Sequence, residues 1–351
     1  FINMSMYANI VAPVPGIVGD RFVFFASISF AIFIVWLFFK IFGIPLIKSD
    51  IKQRRIIWVS ILIILIIAPY GYYVRVRNKQ WKTQYSLYSA DMPKLWNSVK
   101  ANNLYAHELM KRANHELSKP VNPYKFIVGI IDKAEKHYKR ALELDSTHYS
   151  AWNNLGIIYS KIHGNQANLR VQSHIKFNKP EEAELEKINA QKYFAAAIGY
   201  FNQALLYNPE YGSAYFNLAN TYDLQQKYDS SIIYFQKAVD VDGGELVSMS
   251  RLANAYYLNQ QPVEAIQQNK KIIETYPLSD MPFINLGNYA INANDTIAAV
   301  EYFSQAFELG SKSAIGKLLS SYYASKGDKN KYDYYMKKTE DTEKKAQNKK
   351  Q

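Results

Sequence analysis

Asparagine recurs at two positions of a repeated pattern in this 351-residue sequence. Aligned repeats show two columns, the second standing three residues after the first: Asn154, Asn217 and Asn285, then Asn220, Asn254 and Asn288. Residues three apart share one face of a helix. A carboxamide is both a donor and an acceptor, so a stack of them can hold a polypeptide backbone irrespective of its sequence. The alternative interpretation is that these asparagines cap or bridge neighbouring helices.

Patterns typical of catalysis or metal binding are missing from the sequence. It has no cysteine, which excludes disulfides, thiol catalysis and zinc–thiolate sites. It has no phosphate-binding loop, no dinucleotide-binding glycine turn, and no metalloprotease or serine-hydrolase motif. The six histidines lack the spacing of metal ligands and are expected at the surface: His107, His115, His137, His148, His163 and His174. We predict no catalytic residue, metal site or cofactor within this chain.

The formal net charge of the chain is +12 at pH 7. The basic residues are spread through loops, helix faces and the C-terminal end, without an arginine-rich helix or a glycine-aromatic motif. The paired acids Glu181-Glu182 and Glu340-Asp341 are typical of solvated helix faces. We therefore predict no nucleic-acid partner.

The segments that carry the asparagines repeat with a constant step of 34 residues, which is that of the tetratricopeptide helix pair. One position, alanine in three of four units, and a later turn mark the second helix of each unit: Ala204, Ala238, Ile272 and Ala306, followed by Pro209, Gly243, Pro277 and Ser311. The first helix repeats through Leu218, Leu252 and Leu286. We expect the small residues to let the two helices approach closely, while large residues fill the space between units.

The repeat array is predicted to be an α-solenoid over residues 97–338, with about five repeats and a degenerate cap. An insertion at about 163–191 separates the two helices of one early unit, and Pro180 predicts a helix start near Glu181. We expect this insertion to pack over the groove or against the preceding domain. Residues 339–351 are predicted to form a charged tail.

Two uncharged apolar runs, each bracketed by basic residues, precede the array. As helices with about 1.5 Å rise per residue, both are long enough to cross a hydrocarbon core of roughly 30 Å. The predicted fold is therefore all-α, a two-helix transmembrane hairpin followed by a tetratricopeptide-repeat solenoid. The predicted segments are an external membrane-proximal loop at 1–21, a hairpin at 22–75 with helices at about 22–42 and 56–74, and an interfacial linker at 76–96.

The distribution of charge predicts the orientation of this hairpin. The link between the runs contains Lys48, Lys52, Arg54 and Arg55, whereas Arg21 is the only basic residue before the first run. Because basic loops stay inside, we expect the link to be cytoplasmic. The predicted localisation is the bacterial inner membrane, as a multi-pass protein with periplasmic repeats and lipid among its partners.

The junction of hairpin and repeats suggests a family. Residues 19–30, GDRFVFFASISF, resemble the Ala-Glu-Arg-x-x-Tyr-Leu-Pro-Ser-x-Gly-Phe segment of the transmembrane and tetratricopeptide-repeat O-mannosyltransferases. Asp20, Ala26 and Ser29 depart from that segment, which has Glu, Pro and Gly at these places. The later Arg77-Asn78, Trp81 and Leu87-Tyr88 are similar to the family's approach to its first repeat: the resemblance spans residues 10–312.

The resemblance implies a C-type glycosyltransferase with a polyprenyl-phosphate-linked sugar as donor. It makes Arg21 a candidate contact for the donor phosphate and the asparagine groove a site for the acceptor polypeptide. The family's catalytic acid lies in an early membrane loop that this chain lacks, so we expect the chain to be the C-terminal part of a longer O-glycosyltransferase. The alternative is a non-enzymatic, membrane-anchored scaffold that binds a protein partner and assembles a cell-envelope complex.

Overall fold

A computed structural model describes residues 32–33, 36–37, 40, 53–119, 124–310 and 313–348. None of these residues lies in a β-strand, so the predicted all-α class is confirmed for this part of the chain. The α-helices are, in chain order, α1 Gln53–Gln80, α2 Gln84–Leu95, α3 Val99–Leu117, α4 Tyr124–Leu144, α5 Tyr149–Ile157, α6 Asn165–Lys176, α7 Pro180–Tyr207, α8 Gly212–Leu224, α9 Tyr228–Val241, α10 Leu246–Leu258, α11 Pro262–Thr275, α12 Met281–Asn292, α13 Thr296–Glu308, α14 Ser313–Ser325 and α15 Lys329–Asn348.

The chain divides into two compact units, Phe1–Ala151 and Trp152–Gln351. In the second unit the helices from α8 to α15 pack as consecutive pairs, and each pair also packs against the next. We name the first helix of each pair helix A and the second helix B. This succession of pairs is a solenoid of the tetratricopeptide type, as the 34-residue step predicted.

The residues that keep the 34-residue step form the interior of the second unit. Ala204, Ala238 and Ala306 of the B helices are fully buried. Gly287 of helix A lies so close to helix B that an added Cβ would stand 2.6 Å from Cε1 of Phe303. The small residues therefore set the distance between the two helices, and the aromatic ring fills the remaining space.

The turns between helix A and helix B contain a left-handed residue at the same step. Gln226, Gln260 and Asn294 have φ angles of +58°, +60° and +58°. In each turn the backbone N–H of the following residue donates a hydrogen bond to a carbonyl in the last turn of helix A. For example, the N–H of Gln261 donates to the carbonyl of Tyr256 at 2.9 Å. This is the helix-ending motif that usually has glycine at the left-handed position. A glutamine there adds backbone strain of about 1 kcal/mol.

We therefore expect Gln260→Gly to raise the free energy of unfolding by about 0.5–1 kcal/mol, because glycine adopts this conformation without strain. Urea denaturation measures the change. Gln267→Gly, inside α11, is the matched control and is expected to cost about 1 kcal/mol. Equal losses for the two variants would show that the left-handed turn carries no strain.

The insertion at 163–191 lengthens a helix pair instead of forming a separate element. A π-helix, Ile158–Gly164, continues α5 into α6, and α7 is 28 residues long, beginning at Pro180. The added turns stay together because Ala167, Ala190 and Phe194 form a small buried cluster. The insertion also contacts the end of α8, because Asn168 Nδ2 donates to the carbonyl of Leu224 at 3.2 Å. That it packs over the groove or against the preceding domain stays a prediction.

In the first unit, α3 and α4 form the main helix pair, and His137 of α4 is buried rather than at the surface. Asn102 Nδ2 donates to the carbonyl oxygens of Trp96 and Ser98 at 2.8 and 2.9 Å, which turns Asn102 Oδ1 toward His137 Nδ1 at 2.8 Å. His137 Nδ1 therefore carries the proton and donates it to that bond. Burial, together with nearby lysines, lowers the pKa of His137 to about 4.

This lowered pKa predicts acid sensitivity. His137 has an ordinary pKa of 6.5 when unfolded, so below that value the unfolded chain binds the extra proton. Stability from this residue is complete above pH 6.5 and is lost as the pH falls toward 4, by up to about 3 kcal/mol. As the pH is lowered across this range, the denaturant midpoint should fall less steeply for His137→Gln than for the unsubstituted protein. The exposed His107→Gln serves as control, and an unchanged slope in His137→Gln would contradict the prediction.

Helix α1 covers the second predicted membrane span, 56–74. Its apolar run before Pro69 extends about 20 Å as a helix, short of the roughly 30 Å of a hydrocarbon core. No helix among the residues that the structure describes is long and apolar enough to cross a membrane. The transmembrane hairpin is thus unsupported, and the predicted localisation as a multi-pass inner-membrane protein with periplasmic repeats is wrong.

Several predictions fall on residues outside the described ranges. These are the loop at 1–21 with Arg21, and most of the first apolar helix at 22–42. The predicted tail at 339–351 is helical as far as Asn348, where α15 ends.

Candidate functional site

The second column of asparagines lies on helix A of three consecutive repeats, on α8, α10 and α12. Asn220 and Asn254 are half-buried and Asn288 is exposed. Asn220 Nδ2 donates to the carbonyl of Phe216 in its own helix at 2.7 Å, which leaves the side-chain oxygen available. Asn254 and Asn288 make no hydrogen bond within the described part of the chain. This column therefore offers carboxamides to a ligand.

The first column has different surroundings. Asn217 is buried and donates to Asn153 Oδ1 on α5 at 3.1 Å. Asn285 donates to the fully buried Asn269 of α11 at 3.1 Å, and Asn154 is half-buried beside Asn153. The contacts of Asn217 and Asn285 join neighbouring helices, which is the bridging interpretation of these residues.

Charged residues accompany the open column. Asp223 follows Asn220 by one helical turn on α8, and Arg251 precedes Asn254 by one turn on α10. Lys161 of the π-helix lies within electrostatic range of Arg251. We call the surface that bears the column Asn220, Asn254 and Asn288, together with Asp223 and Arg251, the helix A face.

The electrostatics of this face are set by burial and by Arg251. Protein atoms desolvate the Lys161 ammonium although its side chain reaches solvent, so burial and the charge of Arg251 lower its pKa. Burial raises the pKa of Asp223, and Arg251 opposes that shift. Asp223 Oδ1 is buried without a hydrogen-bond partner. The site thus holds an exposed arginine near a lysine and an acid whose charged forms are partly desolvated.

Two cavities open on the same repeats, although none of these five residues lines either of them. One, of about 530 Å³, lies between the first turns of α8 and α10 and is lined by Ser213, Phe216 and Val247. The other, of about 680 Å³, is lined by residues of α10, α11, α12 and α13, Tyr257 and Tyr289 among them. Their rings are stacked with centroids 4.0 Å apart. Both cavities are large enough for side chains of a bound polypeptide.

The sequence analysis missed three charged residues at or near this face. Arg251 stands 34 residues after Asn217, in the first asparagine column, so the repeat alignment contained the information that one repeat replaces asparagine by arginine. Asp223 and Lys161 had no such pattern. The π-helix at Ile158–Gly164 also shifts the register of Lys161. Among the described residues, no cluster of histidines and acids could hold a metal ion.

Comparison with known proteins identifies the repeats. Two family models described as tetratricopeptide repeat match residues 187–245 and 137–184. No curated protein matches the chain at significant similarity. The resemblance to O-mannosyltransferases has no support in these matches.

Similar solved structures include YrrB, titled a TPR protein with an unusual peptide-binding site, at 16% identity and a TM-score of 0.39 over 64% of this chain and 92% of that chain. The structure titled MamA has 18% identity and a TM-score of 0.38 over 53% and 92%. MamA 41-end from Desulfovibrio magneticus RS-1 has 12% identity and a TM-score of 0.34 over 52% and 96%. With the two family matches and the repeated helix pairs, the chain contains tetratricopeptide repeats.

Proposed function

We propose that this chain is a non-enzymatic scaffold, whose helix A face holds an extended polypeptide segment of a partner protein. The observation that carries the proposal is the column Asn220, Asn254 and Asn288, one carboxamide per repeat at one position. A donor and an acceptor at each step can pair with the peptide backbone, so binding tolerates many sequences. The two cavities on the same repeats supply contacts for side chains and hence selectivity.

The family matches favour a scaffold over the O-glycosyltransferase with a polyprenyl-phosphate-linked sugar donor, because they concern repeats alone. Tetratricopeptide units bury their hydrophobic faces against one another and leave an extended surface along the array. Such a surface suits association with a polypeptide.

The absence of cysteine allows a direct test with single labels. Ser213→Cys places an environment-sensitive fluorophore at an exposed position of helix A, and Gln267→Cys places it at an exposed position of helix B. Short random peptides displayed on phage are selected on the whole chain and then titrated. We expect saturable fluorescence change at position 213 and none at 267. Failure to enrich any peptide, or a response at 267 alone, would contradict the proposed function.

A further inference from the structure

The larger of the two cavities is aromatic and carries a single charge. We call it the tyrosine cavity, after Tyr257, Tyr289 and Tyr302, which line it. Asp295 is the only charged residue among the described residues of its lining, although the whole chain has 42 lysines and arginines against 30 acids. The lining therefore combines one negative charge with aromatic rings and supplies no base to neutralise that charge.

Asp295 has one carboxylate oxygen to spare. Its Oδ1 accepts the backbone N–H of Ala298 at 3.0 Å, which caps α13. Within the described part of the chain, its Oδ2 has no hydrogen-bond or ion-pair partner. The cap anchors the exposed side chain at the rim of the cavity. The second oxygen can therefore accept a hydrogen bond from a ligand.

The tyrosine rings supply the other half of a site for a cation. Tyr257 and Tyr289 stack with centroids 4.0 Å apart and 10° between their planes. Tyr289 is buried and Tyr257 is half-buried, so Tyr257 is the more accessible ring of the pair. Its Oη accepts a hydrogen bond from Asn292 Nδ2 at 2.7 Å, which holds the ring in place. The face of a tyrosine ring attracts cations, and a guanidinium group stacks flat upon it.

The tyrosine cavity adjoins the open asparagine column. Tyr257 follows Asn254 by three residues on α10, and Asn292 follows Asn288 by four residues on α12. Residues at these spacings share one face of a helix. A backbone held by Asn254 and Asn288 would therefore pass within one helical turn of the cavity.

The smaller cavity has the same sign of charge. Its lining includes Glu210, Asp242 and Glu245 and, among the described residues, no base. Glu210 and Glu245 are exposed. A basic side chain on the bound segment would thus meet carboxylates at both cavities, whereas an acidic one would be repelled.

We propose that the polypeptide bound on the helix A face carries an arginine, whose guanidinium is seated in the tyrosine cavity against Tyr257 and paired with Asp295. This inference rests on the proposed function and specifies the partner as a segment with arginine at a fixed position. Arginine is favoured over lysine, because only the guanidinium offers both a plane for the ring and a fork for the carboxylate. The cavity, of about 680 Å³, has room for the whole side chain.

The experiment uses random peptides selected on the whole chain and displayed internally, so that they have no free terminus. We expect arginine at one constant position. Replacing it by citrulline keeps the planar group without the charge, and replacing it by lysine keeps the charge without the plane. We expect citrulline to weaken the peptide about tenfold and lysine about fivefold. Fluorescence anisotropy at fixed ionic strength measures the affinities, because charge contacts weaken with salt.

Asp295→Asn is the matched change in the protein, since asparagine caps a helix as well as aspartate does. It is expected to weaken the arginine peptide about tenfold and the citrulline peptide less than about twofold, because both changes remove the same contact. The control is Glu301→Gln, which removes the same charge from an exposed position of α13 and should change either affinity by less than about twofold.

Three results would overturn the arginine inference: equal losses for Asp295→Asn and Glu301→Gln, additive losses for the citrulline and Asp295→Asn changes, or selected peptides without a common arginine. The scaffold proposal would stand in each case if those peptides lose affinity when Asn220, Asn254 and Asn288 are replaced together by alanine. Failure to select any peptide would overturn both. We expect Asp295→Asn to keep its melting temperature, so that lost affinity reports on the contact and not on unfolding.

Discussion

Phe201→Ala is expected to lower the free energy of unfolding of the second unit by about 4 kcal/mol. Phe201 lies on α7 and is fully buried beside Ala197 and Leu218. A Cβ on Gly156 would stand 2.5 Å from its Cε1 atom, so the ring fills the closest approach of the long helix pair. Removing it forfeits burial and leaves a cavity that this rigid packing cannot close.

Urea denaturation followed by circular dichroism measures this loss. Leu206→Ala, on the same helix but 67% exposed, is the control and should change stability by no more than about 0.5 kcal/mol. A cost below about 1 kcal/mol for Phe201→Ala would mean that the long pair does not contribute to the cooperative core of the unit.

The second large effect concerns binding. Replacing Asn220, Asn254 and Asn288 together by alanine is expected to weaken a selected peptide about a hundredfold. Each carboxamide contributes on the order of 1 kcal/mol net, because the hydrogen bond to the peptide replaces one to water. Each single alanine variant should therefore weaken the peptide by less than about tenfold. Fluorescence anisotropy measures the affinities.

The triple variant should keep its melting temperature, since these side chains do not bridge helices. Asn217→Ala gives the opposite result, because it leaves the buried Asn153 oxygen without its donor and costs about 1–3 kcal/mol of stability. A triple variant that loses stability but not affinity would show that the open column is structural.

The periodic part of the fold was predictable from sequence. Ala204, Ala238 and Ala306 are buried as their 34-residue step predicted, because a packed interior tolerates only small side chains where two helices meet. The long helix pair was not predictable, since a π-helix at Ile158–Gly164 shifts the register. The burial of His137 also escaped prediction, because its partner Asn102 lies 35 residues away in sequence.

The candidate site was predictable only in part. Both asparagine columns follow from the repeat, but sequence spacing does not show which side chain meets a neighbour. Asn217 on α8 donates a hydrogen bond to Asn153 on α5, whereas Asn254 makes no hydrogen bond in the described part of the chain. The membrane prediction failed because it counted an apolar run in α1 past Pro69, into tyrosines and a glycine.

The side-chain amide signals of asparagine test the central claim most directly. Nuclear magnetic resonance of the chain labelled with ¹⁵N in asparagine follows each Nδ2 group during titration with a selected peptide, and single substitutions assign the signals. We predict that the signals of Asn220, Asn254 and Asn288 shift together with one dissociation constant, while those of Asn217 and Asn285 stay in place. Unmoved signals from the open column at saturating peptide would contradict the proposal that the helix A face binds the polypeptide.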